Sequence, residues 1–270
     1  MVVFPNAKIN LGLSVVGKRD DGFHNIETVF YPVPLYDVLE MVTASKGGFS
    51  FTHSGLDIPG EEDSNLCVRA WRMLQKDFGL PETEMYLRKI IPPGAGLGGG
   101  SSDGAFTVKL VNRLFALNLS VEAMERYARR LGSDCAFFIR NEPAFATGKG
   151  DRLQPVDVDL SGYFLVIVKP QVHVDTREAY GGITTAVPDV HVNDVVGLPV
   201  KVWKENLIND FEKTVLKKYS VLGEIKERLY SLGALYASMT GSGSAIYGLF
   251  ENETDVTAAF QPHFCWCRQL

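Results

Sequence analysis

Between Pro92 and Ala105 the chain reads "PPGAGLGGGSSDGA", with six glycines in fourteen residues. Glycine loses more conformational freedom on folding than any other residue, so this density opposes folding unless bare backbone is needed there. The stretch follows a lysine-bearing strand pattern, "TEMYLRKII", and runs into a helical periodicity that puts Val108, Val111, Leu114 and Phe115 inward. A polar surface linker does not sit between two such patterned elements.

Three ligand-holding readings compete. Gly94-x-Gly96-x-x-Gly99 fits the dinucleotide fingerprint, but that pattern requires a helix followed by a second parallel strand. Here the expected helix, about Ser101 to Leu117, leads to another helix starting at Ser120, and Pro92-Pro93 breaks the tight turn. Gly94-x-x-x-x-Gly99 opens like a Walker loop, yet Gly100 stands where its lysine belongs. The third reading is a glycine loop that wraps a triphosphate and feeds a helix N-terminus, where backbone N–H groups and the helix dipole favour an anion. Ser101 and Ser102 then stand at the helix start with hydroxyls free for phosphate or metal. On this reading the loop holds phosphate.

The 270 residues are 46% hydrophobic, enough for one large domain or two smaller ones. A net charge of −5 with no basic run argues against a nucleic-acid backbone as partner. No apolar run reaches the ~18 residues that span a membrane, and no cleavable signal pattern opens the chain, so a cytoplasmic location is expected. The four cysteines make no disulfide framework. Cys265 and Cys267 flank Trp266 in a final strand, without a second ligand pair for a metal.

Strands and helices are intermixed, which points to an α/β or α+β class with two lobes. "NAKINLGLSVV" alternates, with Ile9, Leu11, Leu13 and Val15 on one face and Lys8, Asn10, Gly12 and Ser14 on the other. Asp21-Gly22 marks a hairpin. Ser64 is expected to cap a helix over 65–78, with Cys67, Trp71, Leu74 and Phe78 on its buried stripe and Gly79 as its stop. A domain edge is expected at Gln154-Pro155, dividing an N-terminal lobe, 1–155, from a C-terminal lobe, 156–270. "YFLVIVKP" reads as a buried strand, and helices are expected near 209–218 and 223–232. "LYASMTGSGSAIYGLF" reads as strand, glycine turn, strand.

Phosphoryl transfer needs charge neutralisation, positioning and an acceptor for the incoming hydroxyl's proton. Without a Walker lysine, the cation must come from elsewhere. Lys8 is a candidate, although a lysine at a strand start is most often solvated. Asp134 is the candidate base, although an aspartate after Gly132-Ser133 also suits a helix cap. His24, beside Phe23 at the hairpin, could bind a planar base or simply be exposed.

"PNAKINLGL", "PPGAGLGGGSSDGA" and "MTGSGSAIYGLF", in that order, resemble the galactokinase–homoserine kinase–mevalonate kinase–phosphomevalonate kinase (GHMP) superfamily. "AKINLGLSVVGKRDDGFHNIETVF", "LGSDCAFFI" and "AFATGKGD" further resemble its branch that phosphorylates the 2-hydroxyl of 4-diphosphocytidyl-2-C-methyl-D-erythritol, in the non-mevalonate route to isopentenyl diphosphate. The resemblance runs from end to end. It implies a two-lobed α+β fold with the active site in the cleft between lobes, 1–155 as the ATP-binding lobe and 156–270 as the lobe that completes the substrate site, a small-molecule acceptor, and ATP, with Mg2+, as donor. By resemblance Lys8 and Asp134 are catalytic. Asn65, Pro92, Pro93, Gly94, Ala95, Gly96, Leu97, Gly98, Gly99, Gly100, Ser101 and Ser102 bind ATP. Asn10 lies near the reacting hydroxyl, Phe23 and His24 hold cytosine, and Tyr180 stacks on its other side with Thr176 nearby. Gly241 and Ser242 close around the substrate phosphates. The resemblance fixes no metal ligands. Gly104 departs from the branch, standing where alanine is usual. Another kinase of the superfamily, of homoserine or mevalonate type, and a non-catalytic nucleotide-binding protein are the alternatives; the "DGFH" hairpin disfavours the first, and Lys8 together with Asp134 the second.

Overall fold

The computed structural model describes residues 1–44, 48–254 and 256–270. In chain order the first half comprises β1 (Val2–Val3), β2 (Asn6–Lys18), β3 (His24–Tyr36), β4 (Val38–Thr43), β5 (Ser50–Gly55), α1 (Leu66–Phe78), β6 (Thr83–Lys89), α2 (Gly99–Leu114), α3 (Val121–Leu131) and α4 (Phe137–Arg140). The second half comprises β7 (Ala144–Thr147), β8 (Arg152–Pro155), β9 (Phe164–Lys169), α5 (Thr176–Gly181), α6 (Val192–Val196), α7 (Trp203–Asn206), α8 (Glu212–Lys218), α9 (Ser220–Ser231), β10 (Tyr236–Met239), β11 (Ile246–Phe250) and β12 (Phe264–Gln269). Helices and strands intermix in an α+β fold.

The chain forms two compact units that interleave in sequence. Unit one holds Met1–Lys8, Leu35–Pro93 and Gly98–Glu142; unit two holds Ile9–Pro34, Gly94–Leu97 and Pro143–Leu270. The expected boundary at residue 155 therefore differs from the observed division. The reason is strand pairing: β3 pairs with β7, and β7 with β8, which draws residues 143–155 into unit two. Gln154 and Pro155 lie inside β8.

Unit one is built on a sheet of order β1-β4-β6-β5. Leu39 faces Leu87 and Met41 faces Met85 across the antiparallel β4–β6 pair, and all four are buried. In β6 buried and exposed residues alternate strictly, as a half-buried strand requires. Helix α1 is capped by Asn65, whose Oδ1 accepts from Cys67 N at 2.8 Å. Ser64, the expected cap, instead ends a short 3-10 turn and donates to Glu61 O. Cys67, Trp71 and Leu74 are buried as expected, but Phe78 in the last turn is exposed. Gly79 terminates the helix in the left-handed region. A Cβ on Gly104 would lie 2.9 Å from Leu66 Cβ, so the glycine that departs from the branch pattern permits the close approach of α1 and α2. Helix α2 leads to α3 with no strand between them, which removes the dinucleotide-fold reading.

Unit two contains a sheet of order β10-β11-β9-β12, with β9 buried in its interior, and most of a second sheet of order β2-β3-β7-β8. Val166, Val168, Met239 and Ile246 of the first sheet pack with Leu222, Ile225 and Leu229 of α9. Cys265 and Cys267 lie on β12 as reduced thiols, packed against this core. Among the described residues no group of three or more His, Cys, Asp or Glu could hold a metal, and no helix is long and apolar enough to cross a membrane.

Candidate active site

Unit one carries the candidate reacting groups. Lys8 sits near the start of β2 and is 3% exposed, not solvated. Its Nζ lies 3.5 Å from Asp134 Oδ2. Burial pulls the Lys8 ammonium below the ordinary lysine range, and Asp134 opposes that shift. Asp134 occupies the turn between α3, which Gly132 ends, and α4. Its Oδ1 accepts from Ser133 Oγ at 3.2 Å, and 30% of its side chain is open to solvent. Ala136 is the N-cap of α4 and no side chain caps it, so the capping role for Asp134 is not the one found. A partly exposed carboxylate backed by a buried ammonium can receive a hydrogen bond, and then a proton, from an incoming hydroxyl.

The glycine stretch enters α2 through Gly98, whose φ of 69° only glycine adopts easily. The first bond into the helix is Ser102 N to Gly98 O, leaving the amides of the first turn without intrahelical acceptors. Gly98 and Gly99 are tightly enclosed. A Cβ on Gly98 would meet Phe138 at 2.9 Å and Lys8 Cγ at 3.0 Å; one on Gly99 would meet Ile91 at 2.8 Å and Lys89 Nζ at 2.9 Å. Gly100 is exposed, with open space beyond its Cα. Ser101 is half-buried and hydrogen-bonds Cys135, whose thiol burial pushes up to about 12 despite that bond. Ser102 is fully buried, and its hydroxyl has no partner. Ser101 thus reaches the surface with its hydroxyl engaged by Cys135, whereas Ser102, on the inward face of α2, departs from the expectation of an open hydroxyl. Pro92 is buried and Pro93 half-buried.

Beneath α2 lies a buried cluster that sequence reading missed. Lys89 Nζ donates to Asp37 Oδ2 at 2.5 Å and to Asp103 Oδ2 at 2.7 Å. Asp37 Oδ1 accepts from the backbone N–H of Ile90 and Ile91. The cluster ties the end of β6 to the second turn of α2. Burial opposes the Lys89 charge, but Asp103 and Asp37 outweigh it and hold the ammonium above the ordinary lysine range.

Unit two carries the remaining candidates. Asn10 is 2% exposed; its Nδ2 donates to Thr28 Oγ1 at 3.0 Å and its backbone N–H to Thr240 Oγ1 at 3.1 Å. Thr240 Oγ1 also lies 3.0 Å from Gly96 O and 3.2 Å from Asn10 Oδ1. A Cβ on Gly96 would fall 2.0 Å from Thr240 O, so this glycine is required by backbone meeting backbone. Ala95 and Leu97 are buried, and Ala95 O accepts from Ala245 N. Exposed His173 lies beside Gly94, 3.2 Å from where a Cβ would be. Gly241 and Ser242 form the β10–β11 turn, and Ser242 Oγ is 3.1 Å from Thr176 Oγ1.

The hairpin spans five residues, with Asp21 Oδ1 accepting from Phe23 N. Phe23 is 57% exposed, and Lys149 Nζ sits 4.7 Å from its ring centroid. His24 begins β3, with its ring stacked on Tyr180 at 4.6 Å between centroids and 13° between planes. That spacing leaves no gap for a base between these two rings. Tyr180 covers a face of the imidazole and leaves its edge available, while Phe211 meets Tyr180 edge-on at 4.8 Å.

The chain matches two family descriptions: "GHMP kinases N terminal domain" over residues 65–142 and "GHMP kinases C terminal" over 203–263. It is 51% identical over the full length of both chains to a 4-diphosphocytidyl-2-C-methyl-D-erythritol kinase of Bacteroides fragilis. It is 53% identical to that of Bacteroides thetaiotaomicron, covering 94% of this chain and 93% of the relative. A crystal structure of 4-(cytidine 5'-diphospho)-2C-methyl-D-erythritol kinase superposes with a TM-score of 0.85 at 29% identity, covering 99% of this chain and 98% of the other. A homoserine kinase structure from Cytophaga hutchinsonii, with a TM-score of 0.71 at 17% identity over 98% and 94% of the two chains, shares the fold.

Proposed function

The chain belongs to the 4-diphosphocytidyl-2-C-methyl-D-erythritol kinase family of GHMP kinases, and from that premise we propose that it transfers the γ-phosphoryl group of ATP to the 2-hydroxyl of 4-diphosphocytidyl-2-C-methyl-D-erythritol. The observation that carries the chemistry is the Lys8–Asp134 pair, 3.5 Å apart with the lysine buried. Asp134 accepts the proton of the attacking hydroxyl. Lys8 balances the carboxylate charge and the charge that spreads over the transferring group.

The first turn of α2 supports phosphate binding, since its free amides and dipole favour an anion and Gly100 offers no side chain to block approach. Mg2+ bound with ATP would supply charge neutralisation at the phosphate oxygens. Asp134, whose carboxylate is partly open to solvent, is the residue here that would help to hold that ion. In unit two, His24 reads an edge of cytosine, held in orientation by Tyr180. Thr176, Gly241 and Ser242 contact the substrate's diphosphate. Both substrates are water-soluble anions, so the reading includes action in the cytoplasm without a nucleic-acid or membrane partner.

The test is ADP release with a panel of acceptors. The cytidyl methylerythritol should support turnover, with homoserine and mevalonate near background. Equal or better turnover with either of those would overturn the reading.

A further inference from the structure

We propose that Asn209 is a positioning residue for the third glycine motif, aiming the Ser242 N–H at the substrate's phosphate; this rests on the proposed function. Asn209 is 1% exposed. Its Nδ2 donates to Met239 O at 2.7 Å and to Gly241 O at 2.9 Å, and its Oδ1 accepts from Phe211 N at 3.0 Å. Both amide hydrogens are thus committed to two carbonyls that bracket Thr240. Thr240 in turn bonds Asn10 and Gly96. One side chain therefore organises a polar network that joins β2, the segment at Gly96 and the third glycine motif within unit two.

The segment that bears Asn209 is itself anchored. Leu13 N donates to Ile208 O at 2.9 Å, Asp210 N to Leu13 O at 2.8 Å, and Val15 N to Asp210 Oδ2 at 2.8 Å. The asparagine is fixed to β2 before it reaches the turn.

The consequence follows from peptide planarity. In a trans peptide the C=O and N–H point in opposite directions. Fixing Gly241 O toward Asn209 turns the following amide, Ser242 N–H, away from the buried side. Gly241 has a φ of 56°, and Gly243 N–H is already used on Thr240 O, so Ser242 N–H is the amide that the orientation of Gly241 O turns outward. An amide presented from a glycine turn is an anion donor. Ser242 is half-buried, with its hydroxyl beside Thr176.

Asn209→Asp keeps the shape and removes both donors, leaving a carboxylate facing two carbonyls. Its control is Tyr236→Phe, which loses a buried hydrogen bond to Leu207 O in the same unit without touching the turn. Steady-state kinetics and thermal unfolding are measured on both. For Asn209→Asp, KM for the cytidyl substrate should rise about tenfold or more and kcat fall, with KM for ATP within about twofold. Tyr236→Phe should lose stability but keep its KM values. Asn209→Ser, which retains one donor, should lie between wild type and Asn209→Asp and covers the case in which the aspartate does not fold. If activity falls in proportion to stability in both positions, or KM for the cytidyl substrate is unchanged, Asn209 is merely structural and the proposal fails. Absence of wild-type turnover would sink the proposed function instead. Calorimetric titration with CDP then still decides the case, because unchanged CDP affinity in Asn209→Ser overturns the role of Asn209.

Discussion

Lys89 Nζ lies 2.7 Å from Asp103 Oδ2, while Asp103 Oδ1 is buried without a hydrogen-bond partner. Asp37 shares the same lysine. Two carboxylates on one ammonium would leave a net negative charge in the interior of unit one, so one of them holds a proton more readily than an isolated aspartate. Burial, only partly offset by Lys89, pushes Asp103 up from 3.8 to about 7. The unpartnered Oδ1 is the oxygen with room for that proton.

A stability prediction follows, with the sign fixed by linkage. A folded-state pKa above the unfolded value contributes stability that is present below the unfolded value and lost as pH rises through the folded one. Asp103 therefore weakens the fold between pH 3.8 and about 7. Asp103→Asn does not titrate, and its unfolding temperature should gain on wild type across that window. Parallel curves for the two proteins would contradict the assignment.

The glycine stretch should divide by position. Gly98→Ala places a side chain at positive φ and 2.9 Å from Phe138, and should cost more than the ~1–2 kcal/mol of left-handed strain alone. Gly100→Ala meets nothing and should hold or raise stability, since alanine is favoured over glycine in a helix by roughly 0.5–1 kcal/mol. If phosphate approaches the first turn of α2, that same methyl should raise KM for ATP several-fold. Calorimetry and unfolding of both variants decide the matter; an unchanged ATP affinity in Gly100→Ala would place the phosphate elsewhere.

His24→Ala should raise KM for the cytidyl substrate and leave KM for ATP near its wild-type value. One base-reading hydrogen bond is worth ~0.5–1.5 kcal/mol net, or roughly 2- to 12-fold. A joint rise of both constants would make the His24–Tyr180 stack a packing contact only.

Local patterns carried much of this in the sequence. The alternation of β6, the apolar run of β9 and the strand–turn–strand at 236–250 follow from short-range periodicity. The glycine stretch announced a helix start, but not which glycines serve packing and which serve access. Gly96, Gly98 and Gly99 are explained by neighbours distant in the chain, Thr240, Phe138 and Lys89. The Lys89 cluster was illegible for the same reason: Asp37 and Lys89 are 52 positions apart, and a lone lysine ending an alternating strand resembles a solvated one. At the cap of α1, Ser64 and Asn65 are both competent residues, and only the 3-10 turn ahead of the helix selects the second. The interleaved units were hidden because β2 and β3 read as simple strands, while β7, the partner of β3, lies more than a hundred residues on.

The most direct test of the Lys8–Asp134 centre is single-turnover phosphoryl transfer in Asp134→Asn, with both substrates saturating. Asparagine preserves the shape of the turn and the contact with Ser133, and takes away only the proton acceptor. Binding of ATP and of the cytidyl substrate should be retained, with a transfer rate lower by roughly 10²–10⁴, the range for a positioned general base. Lys8→Ala should also be slow, and the double variant little worse than the slower single, as for residues acting as one unit. A transfer rate near wild type in Asp134→Asn would contradict the account.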